Sequence, residues 1–367
     1  MITIIKRNGR TEPLDISKIQ KYTEAAVKGL SNVSQSELEV DAQILFRDGI
    51  TSQEIQKTLI KTAVDKIDID APNWTFVASR LFMFNLYHQV NSFTGYCTLE
   101  KYFARGEKAG RLMLGLKEMY DLEKLDSHIK PERDMLFNYL GVKTLYDRYL
   151  IKDRDSNPIE LPQHMFMAIA MFLAQREEKR EEWAIKFYDM ISQFQVMLAT
   201  PTLSNARTTR HQLSSCYIGS TPDNIEGIFD SYQEMAMLSK FGGGIGWDWT
   251  GIRSMGSFID GHKNAAGGTV PFLKITNDIA IAVDQLGTRK GAIAVYMEPW
   301  HIDINDFLDL KKNSGEERRR AHDLFPAMWL NDLFMQRVQE DAIWTLFDPY
   351  DVRELATLYG EDFNKRY

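Results

Sequence analysis

Residues Ile2-Thr-Ile-Ile-Lys-Arg-Asn-Gly-Arg-Thr-Glu-Pro-Leu-Asp15 decide how the chain opens. The β-prone run Ile2 to Ile5 leads into Asn8-Gly9, a dipeptide suited to a two-residue hairpin because it tolerates positive φ. Arg10 to Leu14 returns as the second strand, with Pro13 at an edge position where no ladder N–H is needed. Asp15 then caps a helix whose Ile19, Tyr22, Ala26 and Leu30 share one face. Thr51 and Glu54 form a capping box, worth about 1 kcal/mol for the cap. The helix behind it carries the stripe Ile55, Leu59, Ala63 and Ile67. Asp70-Ala71-Pro72 starts another helix, with proline in its favoured first turn. Residues 1–92 thus read as a hairpin followed by a small helical bundle.

Beyond this unit the texture changes twice. Residues 93–218 are mostly helical in pattern, and Met165 to Leu173 is apolar nearly all round, as a buried helix is. Most of the 23 glycines lie after residue 200. There, short apolar runs such as Ala292 to Met297 alternate with helical patterns, which gives an α/β segment over 219–367. The fold class is therefore α+β followed by α/β. A length of 367 residues, at about 150 per domain, fits two or three domains. A net charge of −7 argues against general nucleic-acid binding. The longest apolar run, Met165 to Ala174, falls well short of the roughly 20 residues that span a bilayer. Lys6 and Arg7 leave no room for a signal peptide. With Cys97 and Cys216 alone, neither a disulfide framework nor a cysteine-rich metal site can form. A reducing, cytoplasmic setting with no membrane contact is expected.

Several groups carry possible chemistry. Lys6, Arg7 and Arg10 at the hairpin, with Glu12 and Lys18 behind, make either a solvated edge that discourages strand pairing or an anion site near a helix N-terminus. Phe241-Gly-Gly-Gly-Ile-Gly246 is either a tight turn or a phosphate-cradling loop, though it lacks a Walker ending. Gln285-Leu-Gly-Thr-Arg-Lys-Gly291 places Arg289 and Lys290 on a loop with two glycines. Glu298, His301, Asp303, Asp306 and Asp309 have acidic and imidazole groups, and a strand would put His301 and Asp303 on one face. The apolar residues between them point to packing, and no metal is expected. Cys216 follows Gln212-Leu-Ser-Ser, downstream of Thr200-Pro-Thr-Leu-Ser204.

Taken together and in order, these motifs resemble the N-terminal part of the large subunit of class I ribonucleotide reductase. Residues 1–92 are similar to that family's ATP-cone. Thr200–Ser204, Gln212–Cys216, Gly242–Gly246, Val270-Pro271, Glu298-Pro-Trp-His301, Asp309–Gly315 and Asp323–Phe325 follow in the family's order and spacing. The resemblance implies an N-terminal cone, a helical domain and the first half of a ten-stranded α/β barrel. It implies that Cys216 is one of two redox cysteines, and that Thr200, Ser204, Ser215, Cys216 and Gly244 bind substrate. It further implies a specificity-effector site at Asp223, Ile225, Arg253, Gln285 and Arg289, and an activity-effector site at Lys6, Arg7, Glu12, Lys18 and Ser52.

Removing a ribose 2′-hydroxyl takes two electrons and protons, which a dithiol supplies on becoming a disulfide. The resemblance therefore implies partners: a C-terminal fragment carrying the second redox cysteine and the radical-forming cysteine, a radical-generating small subunit with its own metal, and an external dithiol reductant. Homodimerisation at the specificity site is implied too. ATP and deoxynucleotide effectors, with magnesium accompanying them, are the expected ligands, and no cofactor is held directly. Gln56 and His88 stand where relatives with a working activity switch usually carry His and Lys, so nucleotide binding carries over more securely than inhibition by dATP. A nucleotide-binding regulator without catalysis is the alternative, but it would have no use for Cys216 and the substrate serines.

Overall fold

The computed structural model describes residues 2–93, 95–283 and 290–367. They divide into two compact units, Met1–Leu213 and Ser214–Tyr367.

In the first unit, β1 (Thr3–Ile5) runs antiparallel to β2 (Thr11–Pro13), with Ile5 opposite Thr11. The closing bond is Lys6 N–H to the Arg10 carbonyl at 2.8 Å. The connection is therefore Arg7-Asn8-Gly9, one residue longer than the Asn-Gly turn expected. Gly9 alone takes a positive φ of 81°, as a three-residue hairpin requires. Helix α1 (Ile16–Val27) starts where Asp15 accepts from Ser17 N–H, and it buries Ile19 and Ala26. It stops before Leu30. After α2 (Gln35–Gln43), a two-residue strand β3 (Ile50–Thr51) pairs parallel to β1, giving the order β2-β1-β3. It is too short to show a period in the sequence.

Both hydrogen bonds of the Thr51–Glu54 capping box are present at the start of α3 (Ser52–Asp65). Ile55, Leu59 and Ala63 are buried, whereas Ile67 lies past the helix end and is exposed. Helix α4 (Trp74–Asn91) begins at an Asn73 cap, two residues later than the proline suggested. Ala71 and Pro72 instead form the turn ahead of it, their carbonyls accepting from Trp74 and Thr75.

The remainder of this unit is helical: α5 (Leu99–Lys108), α6 (Leu122–Asp126), α7 (Tyr139–Arg148), α8 (Pro162–Ala174), α9 (Arg180–Ser192) and α10 (Thr200–Asn205). Helix α8 is its hub, buried on nearly every side as its Met/Phe-rich sequence requires. Its two polar residues are spent on neighbours: Gln163 donates to Asp134 and His164 to the Cys97 carbonyl. Beside it, Arg207 and Glu160 form a fully buried ion pair. Tyr102 O–H and Ile151 N–H also donate to this carboxylate, and Arg207 donates onward to the Leu203 and Tyr149 carbonyls.

The second unit contains β4 (Cys216–Ser220), α11 (Ile225–Lys240), β5 (Gly244–Asp248), α12 (Val270–Ala282), β6 (Ile293–Met297), α13 (Ile304–Leu308), β7 (Phe325–Met328), α14 (Asp332–Gln339) and α15 (Gly360–Arg366). The strands form one parallel sheet in the order β4-β5-β6-β7, part of an α/β barrel. Strand β4 begins three residues ahead of the boundary expected at 219. Its two faces differ sharply. Ile245, Trp247, Ile293, Val295 and Met297 are buried with residues of α11 and α12. Alternate positions point the other way; Gly244, Gly246 and Ala294 there are small, and Cys216 and Ile218 are exposed. Trp247 lies across Gly219, where a Cβ would come within 2.5 Å of the indole, and its Nε1 donates to Thr221 Oγ1 at 2.9 Å.

Replacing Glu160 by Ala leaves Arg207 charged and unpaired where neither side chain is solvent-exposed. The expected loss is about 3–5 kcal/mol. Tyr102→Phe, which removes one neutral donor, should cost only about 1 kcal/mol. Urea midpoints of the two variants against the parent test the order.

Candidate functional site

Three sets of residues named from the sequence are placed by the structure. The first surrounds a cavity of about 670 Å³ between the hairpin, α1, α3 and α4, within the range that holds a small ligand. Lys6, Arg7, Lys18 and Ser52 line it together. Glu12 stands beside it, its carboxylate 3.5 Å from Lys6 and 3.2 Å from Lys18. Ser52 is the first residue of α3, and Asp15 and Lys18 bring in the start of α1. Three cations, Lys6, Arg7 and Lys18, therefore share one cavity wall with the starts of two helices. The basic hairpin thus faces a cavity whose wall also carries the Asp15 carboxylate.

Tyr22, Gln56 and His88 also line the cavity, with Asn85 behind Arg7. Arg7 is fixed by donating to Gln56 Oε1 at 2.6 Å and Asn85 Oδ1 at 2.8 Å. Tyr22 O–H meets His88 Nε2 at 2.5 Å. Burial and then the Arg7 charge lower the His88 pKa, so the ring is neutral and pairs with the phenol. Asn85 sits on an apolar helix, and nothing in its spacing shows that it faces Arg7.

The second set lies on the sheet. Cys216 is exposed at the first position of β4, and its register partner on β5 is Gly244. A Cβ at Gly244 would lie 3.8 Å from Cys216 Sγ and 3.4 Å from the Ser215 carbonyl, so glycine keeps the thiol's flank open. The Gly244 N–H donates to that carbonyl at 2.7 Å. Cys97, by contrast, is half-buried in the helical unit, where burial raises its thiol pKa. Thr200 and Ser204 are on α10, with Thr200 Oγ1 3.1 Å from the Tyr149 hydroxyl. The segment leading towards Ser215 is tied to the same helix, since Asn205 donates to the Gln212 carbonyl and Thr202 to that of Leu213.

The third set is at the start of α11. Asp223 accepts from Arg253 Nε at 3.1 and 3.0 Å, from Nη2 at 2.9 Å and from its backbone N–H at 3.1 Å. Arg253 also packs over the Tyr350 ring at 4.9 Å. Ile225, next to the Asn224 cap, is 60% exposed, and Phe229 one turn on is 56% exposed. A rigid, charged corner thus adjoins an uncovered apolar helix face. Gln285 and Arg289 lie outside the described residues.

Comparisons with known proteins follow the same divisions. Residues 2–89 match the ATP cone domain, 135–211 the ribonucleotide reductase all-alpha domain, and 214–367 the ribonucleotide reductase barrel domain. The chain belongs to the ribonucleotide reductase large-subunit family. It is 71% identical over its whole length to the ribonucleoside-diphosphate reductase subunit alpha of Helicobacter pylori, of which it covers 47%. It is 38% identical to the subunit alpha of Chlamydia trachomatis, covering 36% of that protein. It is 34% identical to the large subunit from Monkeypox virus, with 99% of this chain aligned to 48% of that one. The chain spans about half the length of the curated relatives it matches, or less. Among the described residues no helix is long and apolar enough to cross a membrane.

In the Glu298–Asp309 stretch, Glu298, His301 and Asp303 hydrogen-bond to neighbouring groups. His301 and Asp303 do not share a strand face; they form the turn before α13. His301 Nε2 donates to the Ile252 carbonyl at 2.8 Å, and its Nδ1 accepts from Asp303 N–H. Asp303 accepts from Met255 and Thr269 N–H. Among the described residues no three His, Cys, Asp or Glu side chains are placed to share a metal ion. Glu298 accepts from Trp300 Nε1 at 2.8 Å, and burial, with the Asp248 charge adding to it, pushes its carboxyl up to about 7.

That shift has a sign. Between the ordinary glutamate value and about 7, the folded state keeps the Glu298 proton that the unfolded chain has lost. Stability must therefore fall as pH rises through this window. In Glu298→Gln that component disappears, so the difference in melting temperature between variant and parent should change steadily from pH 4.5 to 7. Parallel pH profiles would count against the assignment.

Proposed function

We propose that this chain is the N-terminal part of the catalytic subunit of a ribonucleoside-diphosphate reductase, with an ATP-cone (1–92), a helical domain (93–218) and the opening strands of the barrel (219–367). The observation that carries the reading is Cys216: an exposed thiol at a strand end, flanked by a glycine that leaves its side open, on the sheet face turned away from α11 and α12. Cys216 acts as one thiol of the pair that becomes a disulfide while the ribose 2′-hydroxyl leaves as water. Thr200, Ser204, Ser215 and Gly244 hold the substrate.

Cys97, held by Arg105 and through its carbonyl by His164, is given neither remaining role in this reading, which puts the partner thiol and the radical-forming thiol beyond these 367 residues. They belong to the polypeptide that completes the barrel. Among the described residues β4 pairs with β5 alone, and its Ile218 is 91% exposed. An uncovered strand edge of this kind is rarely left unpaired. The radical comes from a metal-containing small subunit and the electrons from an external dithiol.

Two effector sites accompany the chemistry. Asp223, Ile225 and Arg253, with the loop bearing Gln285 and Arg289, form the specificity site. The exposed stripe of Ile225 and Phe229 on α11 suits dimerisation there. Lys6, Arg7, Glu12, Lys18 and Ser52 hold ATP or a deoxynucleotide, with magnesium on its phosphates. Neutral His88, already paired with Tyr22, offers no cation to a phosphate, which weighs against a strong dATP switch.

In reconstituted reductase, Cys216→Ser should abolish dithiol-driven turnover while leaving effector binding intact. Full turnover of the variant with the physiological reductant would refute the redox role. Saturating dTTP, at 100 times its dissociation constant, should stabilise the parent by about 2.7 kcal/mol. In Arg253→Ala the thermal shift should shrink by half or more, and an equal shift would reject the specificity site.

A further inference from the structure

Register places Cys216, Ile218 and Ser220 of β4 on the same side as Gly244, Gly246 and Asp248 of β5, and as Ala294 and Tyr296 of β6. This is the face turned away from α11 and α12. Along it the side chains are missing or small at Gly244, Gly246 and Ala294, so the sheet forms a shallow floor. Ile218 and Tyr296 are the large side chains beside it, and Ile218 Cγ2 would lie 3.7 Å from a Cβ at Gly246. The register partner of Tyr296 is Asp248, yet its ring does not stand over that row. A Cβ at Gly246 would lie 3.1 Å from Tyr296 Cε2 and 3.9 Å from Cζ, the carbon that bears the hydroxyl. The ring therefore leans one strand over and two residues back, towards the end of the sheet that carries Cys216. Glycine at 246 is what permits the tilt.

The thiol and the phenol consequently flank one strip of floor. A Cβ at Gly244 would be 3.8 Å from the sulfur, and the phenol edge reaches Gly246. Residues two apart on a strand are separated by roughly 7 Å, about the width of a pentose with its hydroxyls. We propose that Tyr296 contacts the sugar of the nucleotide, closing the side of the pocket opposite Cys216 and hydrogen-bonding a ribose hydroxyl through its phenol. This rests on the reductase reading above.

The test uses reconstituted reductase containing this chain, with CDP as substrate and dATP as effector. Tyr296→Phe should raise KM for CDP about tenfold, the equivalent of about 1.4 kcal/mol, with kcat within about twofold. Tyr296→Leu should raise it further. Gly246→Ala, whose methyl group forces the ring aside, should raise KM in the parent but have little added effect in the Tyr296→Leu background. Effector-induced thermal shifts should match the parent throughout, which marks the effect as local.

An unchanged KM in both Tyr296→Phe and Tyr296→Leu overturns the proposal. So does an effect of Gly246→Ala that is as large with leucine at 296 as with tyrosine. Cys216→Ser, measured alongside for turnover and for CDP binding by equilibrium dialysis, keeps the two readings apart. Turnover in that variant would defeat the redox role of Cys216, while CDP affinity across the Tyr296 variants would still decide the sugar contact.

Discussion

The indole of Trp247 fixes the register on which the second unit depends. It spans the gap left by Gly219 on the neighbouring strand and reaches Thr221 with its only donor. A slip along the ladder would drive the ring into a side chain on either side and leave a buried N–H unpaired, which costs about 1–3 kcal/mol. A one-residue slip would also turn every side chain to the wrong face. With the register held, Cys216 falls opposite Gly244 and the helix-covered face keeps its large apolar residues. A single contact thus links the packing of the core to the surroundings of the thiol.

The parallel sheet shows how one period serves two purposes. Ile245, Trp247, Ile293, Val295 and Met297 supply the apolar burial that holds α11 and α12. Among the intervening positions Gly244 and Gly246 are costly in a strand, since glycine there gives up both packing and backbone entropy. Gly244 and Gly246 make sense only if something must approach the backbone closely on that face. The helix-facing side chains and those opposite are separated by alternation along each strand, not by distance.

In the first unit charged groups are divided between core and cavity. The fully buried Arg207–Glu160 pair is satisfied on all sides and held by the helical core. Lys6 and Lys18 stay partly solvated beside the cavity and share the Glu12 carboxylate. Arg7 is intermediate: two neutral amide oxygens, from Gln56 and Asn85, orient it without cancelling its charge. At the same wall His88 meets the Tyr22 hydroxyl, so the side chains at 56 and 88 are both engaged with neighbours.

Local signals were enough for much of this. Asp15 and the Thr51–Glu54 box set helix starts because a cap is satisfied within three residues. The Met/Phe run of α8 announced its burial because no face of it is polar. The order of motifs from Thr200 to Phe325 was sufficient to reach the reductase family, since each motif stands at a strand or helix end whose chemistry is local. What failed locally did so for the same reason: Leu30, Ile67 and Pro72 fit a helical period, but only packing decides where a helix stops. Tertiary structure alone decided the rest. It brought the two-residue strand β3 beside β1, turned Asn85 from an apolar helix onto Arg7, folded His301 and Asp303 into a turn instead of a shared face, and tilted Tyr296 over Gly246. Each of these joins residues remote in sequence or on different elements. A sequence records the residue that makes such a contact, whereas the register and packing that choose its partner exist only in the folded chain.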